Sequence, residues 1–400
     1  MKKAVFLAAV CMAVYMFAPT FAQQDEGLGR FHRHSDGRIQ NSYIVVLNSD
    51  GPNRSGDFGA TAAEAAQLVR SVGSGRLRFI YDRAISGFSV ELTEQQALTL
   101  SRHPRVRFVE EDSLVSASAT QSGATWGLDR IDQANRPLDG TYSYTSTGAG
   151  VTAYIIDTGI RTSHVEFGGR ATVGYDAVGD GQNGNDCNGH GTHVSGTVGG
   201  ALYGVAKNVS LVAVRVLNCA GSGSTSGVIA GINWVTGAHL AGAPAVANMS
   251  LGGGASSSLD AAVRNSIADG VTYAVAAGNS NFLAQFYSPA RVAEAITVGA
   301  TTSSDARASY SNYGSVVDIF APGSSITSAW NTSDSATNTI SGTSMATPHV
   351  AGVAARYLQS NPSASPATVR NAIVNDASLN KLSGVPGNTA NRLLYRSGGN

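Results

Sequence analysis

Four short stretches carry side chains whose types suit nucleophilic catalysis. "AYIID" (153–157) ends on Asp157, followed by Thr158 and Gly159. "NGHGTHVSGT" (188–197) sets His190 between two glycines, which leave its imidazole open on both sides. "VAAGNSN" (275–281) puts Asn279 directly after Gly278. "SGTSMATPHVAG" (341–352) places Ser344 ahead of a small, apolar, helix-like run. A serine hydroxyl is a weak nucleophile until a base takes its proton. An imidazole can take that proton and later give it to a leaving amine, while a carboxylate behind the ring fixes its tautomer and stabilises its cation. A side-chain amide paired with a backbone N–H can hold the oxyanion of a tetrahedral intermediate. Each residue also has a plain alternative. Ser344 can cap a helix, and Asp157 and Asn279 can be turn residues. His190 and His193 lack the His-Glu-x-x-His spacing of a zinc site.

These groups cooperate only if a fold gathers strand ends and helix starts in one place. Beyond residue 119, "VTAYIID" (151–157), "SLVAVRVL" (210–217), "AVANMSL" (245–251) and "VTYAVAAG" (271–278) are nearly continuous apolar runs. Such runs suit strands buried on both faces of a parallel sheet. Helical stretches alternate with them at 191–204, 226–240 and 258–270. The alternation predicts a three-layer α/β domain with a mostly parallel sheet. Ligands in such folds collect beyond the carboxyl ends of the strands, which is where Asp157 and Asn279 fall.

A smaller unit precedes it. Strand-like runs at 43–48, 76–81, 87–92 and 106–112 interleave with helical ones at 61–72 and 93–104, the second opening on a Thr-x-x-Gln capping box at Thr93 and Gln96. The order β-α-β-β-α-β predicts a small ferredoxin-like α+β domain. Residues 23–40 read as unstructured, and "SLVSASATQSG" (113–123) as a cleavable linker.

Composition narrows the class. Of 400 residues 42% are apolar and only 14% charged, with 47 glycines, which suits a compact protein of tight turns and closely packed helices. A formal net charge of zero leaves no electrostatic footprint for nucleic acid. At the start, Lys2 and Lys3 precede an apolar run at 4–18, then Thr20 and Ala22 form a small-x-small site. That is the layout of a secretory signal peptide rather than a membrane anchor, and no later run is long and apolar enough to span a bilayer. Export leaves Cys187 and Cys219 as an even pair in an oxidising compartment, which favours a disulfide, although a free buried cysteine is also common.

Taken in order, "IIDTGI", "NGHGTHVSGT", "NMSLGGG", "VAAGN" and "SGTSMATPHVAG" resemble the subtilisin-like serine proteases, whose triad follows the chain order Asp, His, Ser. Within them the chain is most similar to the proteinase K and aqualysin branch. The likeness covers essentially all of 119–400, and 42–118 resembles the inhibitory propeptide of the same enzymes. The resemblance implies a subtilisin-like fold and a secreted, monomeric serine endopeptidase made as a self-processing precursor. Its parts would be a signal peptide at 1–22, a propeptide at 23–118 acting as intramolecular inhibitor and chaperone, and a peptidase domain at 119–400. The cut would fall near Ser118 and Ala119.

It further implies Asp157, His190 and Ser344 as the triad, Asn279 as oxyanion donor beside the Ser344 N–H, and a structural role for His193. Ser250, Leu251, Gly252 and Gly253 resemble one wall of the primary specificity pocket, and Ala276, Ala277 and Gly278 the other. Gly221, Ser222 and Gly223, with the Ser250 region, resemble two edges that hold an extended peptide through main-chain hydrogen bonds. Small, uncharged walls suggest that large apolar or aromatic side chains are accepted, from protein and peptide substrates. Cys187 and Cys219 match a disulfide of the aqualysin type. A second disulfide of that type would fall at Gln285 and Val316, and neither is cysteine.

Structural calcium is the implied cofactor. Alignment places one ion on the Asp318 carboxylate and the Ala293 and Ala295 carbonyls, groups of the kind calcium accepts. Asp129, Asp132, Gln133 and Asp139 supply close-set oxygens for a second, or else form an ordinary solvated turn. The acidic, glycine-rich loop 175–186 is a third candidate. Two rival functions remain in view: an inactive homologue that binds peptides, which would more readily lack a triad member or Asn279, and an esterase, which would need a Gly-x-Ser-x-Gly elbow.

Overall fold

The computed structural model describes residues 30–33, 38–48, 58–113 and 119–396. The signal-peptide reading of 1–22 and most of the linker ahead of Ala119 lie outside them. The chain divides into two compact units, Met1–Leu114 and Val115–Asn400.

In the first unit, alternation of apolar and polar residues makes four antiparallel strands. Their spatial order is Val106–Ser113, Arg38–Leu47, Gly87–Glu91, Arg76–Tyr81, the ferredoxin-like arrangement. Helices Phe58–Ser71 and Glu94–Ser101 cover the sheet and enclose Val45, Leu68, Phe88, Leu100 and Val109. Thr93 and Gln96 cap the second helix reciprocally, as their spacing predicts. The segment read as unstructured is partly ordered instead. Phe31–His32 adds a short parallel edge to Val106–Ser113, and the long strand already begins at Arg38. The reason is Phe31, whose ring is buried against Tyr43 at 6.0 Å between centroids.

The second unit is built on a nine-stranded sheet. Its order is Ser378–Leu379, Arg392–Leu393, Ile319–Pro322, Ile296–Thr301, Thr272–Ala276, Ala245–Met249, Thr152–Asp157, Ser210–Arg215, Ala171–Asp176. Every neighbouring pair is parallel except the first. The four apolar runs recognised in the sequence form its centre. Of the flanking strands, Ile319–Pro322 is short and Ala171–Asp176 is a half-exposed edge, whereas Ile296–Thr301 is six residues long, wholly buried, and went unrecognised although its run is as apolar as the others. Successive residues of a strand face opposite sides. Ile155 therefore packs with Val194, Val198, Met345 and Val350 of helices His190–Gly199 and Thr343–Ser360. Ile156 packs with Val228, Ile232 and Val263 of helices Thr225–Ala238 and Ser257–Asp269 on the other face. The result is the expected three-layer α/β domain.

Candidate active site

Thr152–Asp157 lies where the strand order reverses direction, between Ser210–Arg215 and Ala245–Met249. Its carboxyl end therefore opens onto a crevice. Asp157 at that end is wholly buried, a costly place for a charge without partners. Its Oδ1 accepts from the Thr158 N–H at 2.8 Å and from His190 Nδ1 at 2.7 Å.

His190 opens the helix His190–Gly199. At Gly191 a Cβ would stand 2.1 Å from the Gly159 carbonyl oxygen, so glycine lets this first turn lie directly on the turn after Asp157. Asp186, a buried carboxylate, fastens the two. Its Oδ1 accepts from Thr158 Oγ1 and from the N–H groups of Asn188 and Gly189, and its Oδ2 from the N–H and Oγ1 of Thr192. Burial pulls the His190 pKa down, but the charge and hydrogen bond of Asp157, with the charge of Asp186, outweigh it and hold the ring above its ordinary 6.5. His193 faces elsewhere. Its Nε2 meets the Ile326 carbonyl at 3.0 Å, and burial lowers its pKa to about 4, so it stays neutral.

Ser344 sits in the first turn of Thr343–Ser360. Pro348 lies inside that helix and has no N–H to give the Ser344 carbonyl. The Ser250 hydroxyl takes the vacant role, donating to that carbonyl at 2.8 Å. In return the Ser344 hydroxyl donates to the Ser250 carbonyl at 3.0 Å, rather than to His190. Catalytic hydrogen bonds in ligand-free proteins commonly tighten only when substrate arrives.

Asn279 follows the strand Thr272–Ala276. Its Oδ1 accepts from the Thr343 N–H at 2.8 Å and the Thr343 hydroxyl at 2.9 Å, which fixes the amide's orientation and frees Nδ2. An ideal Cβ built on Gly342 would lie 3.5 Å from Asn279 Nδ2 and 3.6 Å from the Ser344 nitrogen. The two nitrogens thus stand near one another beside Gly342.

Two clefts meet here. One of about 570 Å³ is lined by His190, by Gly221, Ser222 and Gly223, and by Ser250, Leu251, Gly252 and Gly253. The other, about 240 Å³, is lined by Leu251 to Gly254, by Ala276, Ala277 and Gly278, and by Asn279 and Ser344. Among the described residues no charged side chain lines this second cleft. Antiparallel pairing of Gly253 with Ser288 and Gly254 with Tyr287 forms part of its wall. Sequence reasoning gave no role to Thr343 or Tyr287, and read Asp186 only as part of the acidic loop 175–186 rather than as the group that fastens the His190 helix. Cys187 and Cys219 are bonded to each other, which decides between the two readings of the pair.

A family model described as the subtilase family matches residues 148–396. The chain belongs to the subtilase family. A second model, peptidase inhibitor I9, matches residues 42–118 of this subtilase. It is 59% identical to the extracellular serine proteinase of Thermus sp. (strain Rt41A), over 82% of this chain and 80% of the relative. It is 54% identical to alkaline serine exoprotease A of Vibrio alginolyticus, over 89% of this chain and 67% of that one. A crystal structure of a cold adapted subtilisin-like serine proteinase superposes with a TM-score of 0.66 at 59% identity, covering 68% of this chain and 98% of the other. The subtilase is thus a serine-type endopeptidase with an inhibitor domain ahead of it.

The implied calcium sites fit unequally. At Asp129, burial raises the carboxyl pKa, while Oδ1 accepts from the Asp139 N–H and Gln133 Nε2, and Oδ2 from Gly140 N–H. Asp132 Oδ2 accepts from the Ser143 N–H at 2.6 Å, but its Oδ1 is buried with no partner among the described residues. Burial first, then the nearby charges of Asp129 and Asp139, lift the Asp132 pKa to about 6. The orphaned Asp132 Oδ1, with the charges of Asp129 and Asp139 near by, is the feature here that suits a cation. The loop 175–186 does not. Arg215, wholly buried, spends its guanidinium on Asp176 and Asp180. At Asp318 too, the position read as calcium is met by an arginine. Arg370 donates to Asp318 Oδ1 and, at 3.3 Å, to the Ala295 carbonyl. It is 52 residues from Asp318 and carries no motif.

Proposed function

We propose that this subtilase is a secreted endopeptidase of broad specificity that cleaves protein substrates through an acyl-enzyme on Ser344. The observation that carries the reading is the 2.7 Å contact of buried Asp157 with His190, on a cleft continuous with the one that Ser344 and Asn279 line. In this reading an extended peptide lies between the Gly221–Ser222–Gly223 edge and the Ser250–Leu251–Gly252 edge. Its side chain before the scissile bond enters the uncharged second cleft, which favours large apolar or aromatic groups. In this reading the Ser344 hydroxyl turns from the Ser250 carbonyl to His190 Nε2, which takes the proton as Oγ attacks the carbonyl carbon. Asp157, hydrogen-bonded at Nδ1, stabilises the imidazolium. Negative charge on the carbonyl oxygen is met by Asn279 Nδ2 and the Ser344 N–H, at a helix start that also favours it. His190 then protonates the leaving amine. Water, deprotonated by the same ring, releases the acyl group and restores Ser344.

The extracellular name of the Thermus relative supports export, as does the 1–22 segment. Among the described residues no helix is long and apolar enough to cross a membrane. The inhibitor match over 42–118 supports a propeptide removed by the enzyme's own cut near Ala119. Calcium at Asp129, Asp132, Gln133 and Asp139 is part of the proposal, as a stabilising ion remote from the reaction. A serine-directed sulfonyl fluoride should inactivate the enzyme in proportion to modification of Ser344. Ser344→Ala should accumulate as precursor while retaining the fold. Correct processing of that variant in a protease-free host would refute self-cleavage, and full peptidase activity in it would refute the mechanism.

A further inference from the structure

The Asp318 site joins three parts of the fold. Asp318 precedes the strand Ile319–Pro322, Ala295 precedes Ile296–Thr301, and Arg370 stands mid-way along the helix Pro366–Asp376. Asp318 is nearly buried, and its Oδ2 accepts from the Thr297 N–H at 2.9 Å. Its Oδ1 and the Ala295 carbonyl are the oxygens a bridging calcium would use, and both receive N–H groups of the one guanidinium.

These arrangements exclude one another. Calcium needs its oxygens at about 2.3–2.6 Å and takes six to eight of them. What excludes the ion is charge and space rather than a used lone pair: the guanidinium reaches both oxygens, and two cations cannot share so small a space without strong repulsion. Arg392 adds positive charge near Asp318. A guanidinium is well shaped for the task, since its planar fork reaches two oxygens at once and it keeps its charge at any ordinary pH. We propose that Arg370 is the resident cation of this site: it bridges Ala295 and Asp318 in place of a divalent ion, and no calcium is held between them. The clamp is covalently part of the chain, so no chelator removes it.

Equilibrium dialysis of the secreted enzyme, blocked by a serine-directed inhibitor, counts its bound calcium. The unmodified enzyme and Asp318→Asn should bind the same number of ions. Arg370→Ala should bind one more at millimolar calcium, and Arg370→Ala with Asp318→Asn should lose that extra ion. Loss of an ion on Asp318→Asn alone would overturn the proposal. So would a folded Arg370→Ala enzyme that gains none. Should a variant fail to fold, anomalous scattering from crystals of the unmodified enzyme grown in calcium decides. No peak is expected between Asp318 and Ala295, and a peak within calcium distance of both oxygens would overturn the assignment.

Discussion

Asn279 offers the sharpest test of the chemistry, because its two ends have different duties. Its Oδ1 holds Thr343 by contacts of 2.8 and 2.9 Å, and its Nδ2 lies, like the Ser344 nitrogen, beside Gly342. Asn279→Ala removes both functions. Losing the oxyanion donor should lower kcat by about 10²–10³, equivalent to roughly 2.7–4 kcal/mol, with little change in KM. Losing the acceptor strands the N–H of Thr343, a residue with no exposed surface. That should cost about 1–3 kcal/mol of stability. Asn279→Asp separates the two effects. The carboxylate can still accept from Thr343, so the melting temperature should stay near that of the parent. At the other end, an acceptor replaces the donor, and turnover should fall at least as far as in Asn279→Ala. The assay is steady-state cleavage of a chromogenic peptide with an aromatic residue before the scissile bond. Enzyme concentration comes from active-site titration and stability from thermal melts of the inhibited protein. An Asn279→Asp enzyme that keeps parental kcat, or an Asn279→Ala enzyme altered only in KM, would refute the oxyanion role.

Other expectations follow from the same geometry. Because His190 must be neutral to act as base and its pKa is raised, kcat/KM should fall as pH drops through a midpoint above 6.5; Asp157→Asn should move that midpoint down and cut kcat by about 10⁴. Removing the disulfide by Cys187→Ser with Cys219→Ser, 32 residues apart, should destabilise the mature enzyme by about 3–4 kcal/mol at most, read from denaturant melts. Chelator should lower the melting temperature of the inhibited enzyme, and Asp132→Asn should remove most of that response; an unchanged melt in metal-free enzyme would rule out the Asp129–Asp132 ion. Asp132 has a folded pKa of about 6, above its ordinary 3.8, so metal-free enzyme should gain stability from this group as pH falls from 7 towards 4, and calcium should abolish that gain.

The sequence disclosed what backbone patterning controls. Apolar runs marked the central strands, and the residues just past their ends, Asp157 and Asn279, could be found by looking there. His190 and Ser344 were legible because glycines and small residues surround them for reasons of close approach, as Gly191 shows against Gly159. Side chains that act through others were not legible. Asp186 is one acidic residue in a glycine-rich loop until the fold wraps five donor groups round its two oxygens. Thr343 looks like an ordinary helix-start residue until Asn279 is seen to lean on it. Arg370 reads as a helix residue on a polar face, and only tertiary packing sets it against Asp318 and Ala295. Phe31 shows the same limit in the inhibitor unit, where a single aromatic side chain orders a segment whose composition reads as loop.

The helix that carries Ser344 is also among the most buried parts of the molecule. From Met345 to Leu358 every residue is buried, enclosed by a sheet whose strands are drawn from as far back as Thr152. A ribosome therefore releases Asp157, His190 and Asn279 long before Ser344, the proposed nucleophile, which gains its place only when its helix fills the centre of a nearly finished domain. No shortened or half-folded chain holds a working set of catalytic groups. For a cell making a protease, the depth of that helix is a safeguard: the capacity to cut proteins arrives last, and arrives whole.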